Sequence, residues 1–360
     1  MHFNRVVIAV DFSAASLAAA RWVAMQVAPR AELALVHVVS EPAAPSFVRP
    51  FLPPFEEAAA ELAPALNGAL KGLAGVVGSD RTTIKLLFGT PADALATFAH
   101  EFGADLISLG RRRRRRGAAR FGDTTAQRLL ARTRIPVLVV PTARPTLPAR
   151  VLVAVDEQPD TIVQLRAAWG MARTYEAALE VLHVLAPELP RLVALGLAQS
   201  DTGKARLESL THDWLASQVR QAGEDMRRVT LHVRVGDPGE QIVKLVHATG
   251  ADLVLVGRGG DERAGVTGSL TGKTDALPLG STSRLVLWAS PCPVIVLPPA
   301  ARPAHPEPTY RSDVRRMQVS TTNARPSMPR PHRGPEGPDD YPPAARLGRA
   351  THSATPDSAA

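Results

Sequence analysis

The chain alternates between short, continuously apolar runs rich in β-branched residues and longer stretches whose apolar positions recur at helical spacing. Arg5 to Asp11 (Arg-Val-Val-Ile-Ala-Val-Asp) is the first such run; apolar throughout and closed by a carboxylate, it has the pattern of a strand buried within a parallel sheet. Ser13 can cap the helix predicted over Ala14 to Val27, where alanines, Leu17, Trp22, Val23 and Met25 recur with no proline until Pro29. Glu32 to Val39 is a second strand. After a Pro-rich passage, Pro42 to Pro54, Phe55 to Val77 is predicted helical. The pattern continues with a strand at Thr83 to Phe88, a helix at Pro91 to Phe102 opened by proline, a strand at Asp105 to Leu109, a helix at Thr124 to Arg132 and a strand at Val137 to Val140.

The same order restarts at Arg150. Val151 to Asp156, Leu179 to Leu185, Thr230 to Val235, Asp252 to Val256 and Val294 to Leu297 read as strands. Thr161 to Arg173, Leu192 to Arg228 with a break near Asp201, the stretch opened by Gly236-Asp-Pro238, and Ser281 to Ala289 read as helices. The offset between copies is 145 at Asp11/Asp156, 146 at His37/His183, and 147 at Gly89/Gly236 and Gly110/Gly257. It rises to 157 at Pro136/Pro293, so the second copy carries a ten-residue insertion after its fourth strand. Strands alternating with helices in this way specify βαβ units and two α/β domains, each a five-stranded parallel sheet with helices on both faces. The expected boundaries are 1–145 and 146–299. Residues 300–360, dominated by Pro, Ser, Thr, Arg and Gly, are expected to form a disordered tail.

Composition narrows the function. A single cysteine, Cys292, excludes an internal disulfide framework and fits a reducing compartment, where it reads as a small apolar residue opening a strand. No apolar run is long enough for a membrane span or signal peptide, so a cytoplasmic protein is expected. The net charge of +8 is local: Arg111 to Arg116 carry +6, the segment beyond residue 300 has nine arginines against six acidic residues, and the remainder stands at −1. No paired carboxylates, metal-spaced His/Cys cluster or Ser-His-Asp order stands out, so no catalytic or metal residue is assigned.

The candidate chemistry lies at strand ends. Gly250-Ala-Asp-Leu-Val-Leu-Val-Gly257 is followed by a Gly-rich loop and Gly280-Ser281-Thr282, the layout in which backbone amides at a helix start receive phosphate. Gly257 and Gly260 permit close backbone approach, and Asp156, if its strand neighbours the fourth, faces the same crevice. A carboxylate there could accept from a ribose hydroxyl or adenine amino group, or simply set a turn. Gly268-Ser-Leu-Thr-Gly-Lys-Thr274 is not a P-loop, because Thr267 stands where that motif needs its first glycine. In the first copy Arg111 to Arg116 replace the glycines; they could bind a triphosphate, a nucleic-acid backbone or an acidic partner, or form a solvated loop. His37 and His183 read as core histidines.

With Val-Ile-Ala-Val-Asp11-Phe-Ser13, Leu-Val-His-Val38, Gly-Ala-Asp-Leu-Val-Leu-Val-Gly257, Gly-Ser281-Thr-Ser-Arg-Leu and Cys-Pro-Val-Ile-Val, the chain resembles the universal stress protein family in tandem form, over residues 3–141 and 149–298. The resemblance implies a Rossmann-like, adenine nucleotide alpha hydrolase-like fold in each half, an intramolecular pseudo-dimer compatible with further homodimerisation, and ATP, with or without Mg2+, as ligand. It places Asp156 and Val184 at the adenosine end and Gly257, Gly260, Gly280, Ser281 and Thr282 at the phosphates, with Asp11, Val38, Gly110 and Thr124 as counterparts in the first copy. Family members space the last two glycine positions nine residues apart, where this chain has nineteen. The first copy has Arg113 and Asp123 in place of two glycines, which marks it as degenerate. The expected function is adenine-nucleotide binding in stress sensing or regulation, without catalysis. A slow ATPase or nucleotidyl transferase, and a nucleic-acid or acidic-partner adaptor working through Arg111 to Arg116, are the alternatives; the residues alone support a phosphorylated ligand.

Overall fold

A computed structural model describes residues 2–41, 48, 52–111, 124–141, 146–185, 201–223, 228–259 and 279–299. The first half contributes β1 (Arg5–Ala9), β2 (Glu32–Val39), β3 (Thr82–Phe88), β4 (Leu106–Arg111) and β5 (Val137–Pro141), with helices α1 (Ala14–Trp22), α2 (Phe55–Val77), α3 (Pro91–Phe102) and α4 (Thr125–Leu130). The second contributes β6 (Arg150–Val155), β7 (Ala178–Leu185), β8 (Val229–Val235), β9 (Leu253–Gly257) and β10 (Val294–Leu297), with α5 (Thr161–Tyr175), α6 (Asp201–Gln221), α7 (Pro238–Thr249) and α8 (Ser281–Ala289). The expected tail and the arginines 112–116 lie outside the described residues.

Both halves wind alike. The strands run β3-β2-β1-β4-β5 and β8-β7-β6-β9-β10, parallel within each half. The two five-stranded sheets are continuous, because β5 and β10 pair antiparallel, Val139 opposite Val294 and Val137 opposite Val296, to make one ten-stranded sheet. This junction follows from composition: every residue of both strands is buried, and an apolar edge strand left unpaired would expose its backbone donors and acceptors. The outer edges, β3 and β8, carry half-buried and exposed positions and polar residues such as Lys85 and Arg234.

Helices cover both faces, as the continuous apolar strands require. On one face Trp22, Leu70, Leu73, Met171, Leu215 and Val219 pack over Ile8, Leu35, Val153 and Val181. On the other, Leu95, Leu129, Ile242, Leu245, Val286 and Leu287 pack over Val7, Ile107, Leu182 and Val254. Each layer runs through both halves, so the hydrophobic core is divided by face and not by repeat.

The helix expected over Ala14 to Val27 is α-helical to Trp22 and π-helical from Val23 to Val27. Its loosened end is held by Arg81, whose guanidinium donates to the carbonyls of Ala24, Ala28 and Ala31 at 2.8–3.1 Å and to that of Val77. Ser13 caps α1 as expected, accepting from the Ser16 amide.

Candidate functional site

Since β1 lies between β2 and β4, and β6 between β7 and β9, the winding direction of each half reverses at those strands, where a crevice opens beyond the carboxyl ends. In the second half Ala154 is opposite Val256, so Asp156 and Gly257 leave adjacent strand ends. Asp11 and Gly110 are related in the same way, with Ala9 opposite Leu109. Val38 and Val184 lie half-buried near the carboxyl ends of β2 and β7, one strand further out.

The phosphate end of the second half is built on α8. Gly257 closes β9, and Gly259 takes a left-handed turn at φ +54°. The Gly280 amide then donates to the carbonyls of Gly259 and Arg258 at 3.0 and 3.2 Å, so the long excursion between them departs and returns at one point. A Cβ on Gly280 would lie 3.0 Å from the Gly259 carbonyl carbon, which is why glycine stands there. Among the described residues no side chain caps α8, which leaves the first-turn amides of Ser281 and Thr282 as donors at the positive end of the helix dipole. The Ser283 hydroxyl, almost fully buried, donates to the carbonyls of Gly257 and Arg258 at 2.6 and 3.0 Å and fixes that first turn to the strand end. An anionic group fits this arrangement. Gly260 lies outside the described residues.

Asp156 stands across the crevice. Its side chain reaches solvent, yet packing around it pushes its carboxyl above the usual value, with repulsion from Asp160 adding to the rise; backbone amides of Asp156 and Gln158 pull the other way. The Asp11 carboxylate accepts from the Ser13 amide at 3.0 Å and from its hydroxyl at 2.5 Å. Asp11 thus bonds the amide two residues on and shapes the turn that leaves the strand, and Asp156 occupies the equivalent place in the second half. Behind each turn a core histidine grips it: His37 Nδ1 lies 2.6 Å from the Val10 carbonyl and His183 Nδ1 lies 3.0 Å from that of Val155. A cavity of about 580 Å³ opens beside Asp156, lined by Glu157–Pro159 and by Leu210, Thr211, Trp214 and Gln218 of α6; neither Gly257 nor α8 lines it.

The first half differs at the helix start. Thr124 is the N-cap of α4 in a capping box, its hydroxyl accepting from the Gln127 amide at 3.3 Å and its amide donating to Gln127 Oε1 at 2.9 Å. The amides of Thr124 and Gln127 are thereby satisfied within the chain. Gly110 packs on the first turn of α1, where a Cβ would come 2.5 Å from the Ala15 carbonyl carbon.

Arg111, the one arginine of the run among the described residues, is engaged within the fold. It ends β4 and reaches into the other half, where its guanidinium donates to the carbonyls of Leu287 and Ser290 at the C-terminal end of α8. Arg258, its repeat counterpart, donates through Nη2 to the Thr133 carbonyl at 3.0 Å, just beyond α4 in the first half. Thr133 and Ser290 are themselves counterparts at the 157 offset. Burial lowers the pKa of both guanidinium groups; nearby Arg134 adds to the effect on Arg258. Arg258, Ser283 and Gly259 escaped sequence reasoning; the shared offset of Gly110-Arg111 and Gly257-Arg258 was the available signal. Among the described residues no cluster of three or more His, Cys, Asp or Glu could hold a metal ion, and no helix is long and apolar enough to cross a membrane.

Several solved structures share this architecture. A universal stress protein from Archaeoglobus fulgidus DSM 4304 is 18% identical over 82% of this chain and 98% of its own, with TM-score 0.50. A protein described as a putative universal stress protein, from Pseudomonas aeruginosa UCBPP-PA14, is 17% identical over 82% of this chain and 93% of its own, with TM-score 0.52. The universal stress protein from Archaeoglobus fulgidus in complex with dAMP is 21% identical over 41% of this chain and 95% of its own, with TM-score 0.28. At the identities of the first two the likeness is one of fold. None of the curated proteins matches this chain. The model of the universal stress protein family matches residues 2–141 and again 149–298. Two matches in series cover most of the molecule and coincide with the two windings of the sheet, so the chain belongs to the universal stress protein family, as a tandem of two copies.

Proposed function

We propose that the second half binds adenine nucleotide, ATP in particular, and that the protein serves as a cytoplasmic stress-response sensor or regulator acting through binding rather than turnover. What carries this reading is the contrast between two equivalent helix starts: among the described residues α8 opens without a side-chain cap beside Gly257 and across from Asp156, whereas α4 is closed by the Thr124–Gln127 box. The phosphates would meet the amides of Ser281 and Thr282, while Asp156 and the backbone of Val184 would face the adenosine end. The first half, whose helix start is closed by the Thr124–Gln127 box, would be the degenerate copy.

Calorimetric titration of the whole protein with ATP and AMP tests this. Thr282→Glu puts a carboxylate at a helix start, where it favours the helix but repels phosphate; it should weaken ATP binding at least tenfold. Thr125→Glu, the equivalent change in α4, should leave affinity unchanged. A parent protein that binds neither nucleotide, or equal losses in both variants, would remove the proposal.

A further inference from the structure

The contacts at the strand ends form a series that crosses between the halves twice. Arg111 of the first half holds the last carbonyls of α8; Ser283 in the first turn of α8 holds the strand end at Gly257 and Arg258; and Arg258 reaches back to the carbonyl beyond α4. The last carbonyls of a helix have no partner within it, and a cation there also suits the dipole. A nine-residue helix is a stiff rod only about 13 Å long, so what grips one end sets the position of the other. At the N-terminal end of α8 sit Ser281 and Thr282. Counting back from Pro136 and Pro293, the place of Ser283 is taken in the first half by Ala126, which has no hydroxyl to make the equivalent contact with the end of β4.

We infer that Arg111 is a positioning residue for the phosphate end of the second half, so that the first half, without binding nucleotide itself, sets the affinity of the second. This rests on the nucleotide reading above and adds to it a regulatory role for the degenerate copy: whatever displaces the end of β4 loosens α8.

Arg111→Gln and Arg111→Lys in the full chain separate the possibilities when two quantities are read together: ATP affinity by calorimetry, and amide hydrogen exchange across residues 281–289. The glutamine variant should bind ATP about tenfold more weakly, within the usual span of coupling between sites, and exchange faster along α8. Lysine keeps the charge but loses the two-pronged contact, and should fall between. Unchanged exchange in the glutamine variant would overturn the positioning role. Faster exchange with unchanged ATP affinity would also overturn it, leaving Arg111 a purely structural cap. A parent protein that binds no ATP would instead strike at the nucleotide reading, and the inference would fall with it. Should the glutamine variant not fold, the lysine variant carries the same two readouts.

Discussion

The guanidinium of Arg258 meets the carbonyl of Thr133 at 3.0 Å across the line where the two halves join, and its Nε and Nη1, buried, meet no acceptor. Its counterpart Arg111 donates to two carbonyls. The two arginines thus occupy equivalent places with unequal compensation, and a buried charge with one partner contributes little net stability. Arg258→Met should shift the urea unfolding free energy by no more than about 1 kcal/mol in either direction, whereas Arg111→Met, which strips two charge-assisted bonds from a helix end, should cost about 2–3 kcal/mol. Equal losses in the two variants would contradict this asymmetry.

The strand-end glycines separate in the same way. A methyl group on Gly110 would strike backbone of α1, with the Ala15 carbonyl carbon 2.5 Å away, and backbone cannot step aside cheaply. On Gly257 it would strike Gln164 Nε2 at 2.5 Å, the far end of a flexible side chain. Gly110→Ala is expected to destabilise by about 1–3 kcal/mol, as overpacking does, and Gly257→Ala by less than about 1 kcal/mol. Thermal melts of the two single variants check the order.

For Asp156 the sign of the pH effect follows from the direction of its shift. Burial and Asp160 raise its folded-state pKa above the ordinary 3.8. Between the two values the folded chain holds a proton that the unfolded chain has released, so the group's contribution is full below 3.8 and is lost as pH rises through the folded value. Ionised Asp156 therefore costs stability at neutral pH. Asp156→Asn should stabilise the ligand-free protein at pH 7, and the gain should vanish as pH falls toward the ordinary carboxylate value. A denaturation series across that range measures it, and a gain that grows toward low pH would refute it.

Cys292 provides a chemical probe of the junction. Burial pushes its thiol from 9.0 up to about 11, with the Ser290 hydroxyl, 3.4 Å from Sγ, opposing the rise. Only thiolate reacts, so alkylation at pH 8 should be about a hundredfold slower than for an unfolded control, and should climb as pH approaches 11. Fast labelling at pH 8 would mean that the start of β10 opens readily.

Much of this molecule is legible from its letters. Helices Phe55–Val77, Pro91–Phe102 and Ser281–Ala289 fall where hydrophobic spacing and prolines put them, because those signals act along a few turns of chain. The closing carboxylates Asp11 and Asp156 and the glycines Gly110 and Gly257 stand out because a repeated offset picks them from their neighbours. The left-handed turn at Gly259 is not legible in this way, since nothing in one sequence says which backbone conformation a strand-end glycine takes.

What the letters determine, then, is the order of elements, the duplication and the residue types at each strand end, all of which are encoded by spacing along the chain. Only the folded molecule decides that two sheets become one, because pairing β5 with β10 is a contact between segments more than 150 residues apart. That pairing brings the end of α8 within reach of Arg111, and that of α4 within reach of Arg258, so an arginine that reads as one of a solvated run becomes the cap of a distant helix. Which helix start keeps its amides open is decided in the same way, by which side chains fold back to meet them: Gln127 meets Thr124, and among the described residues no side chain caps α8 at Gly280.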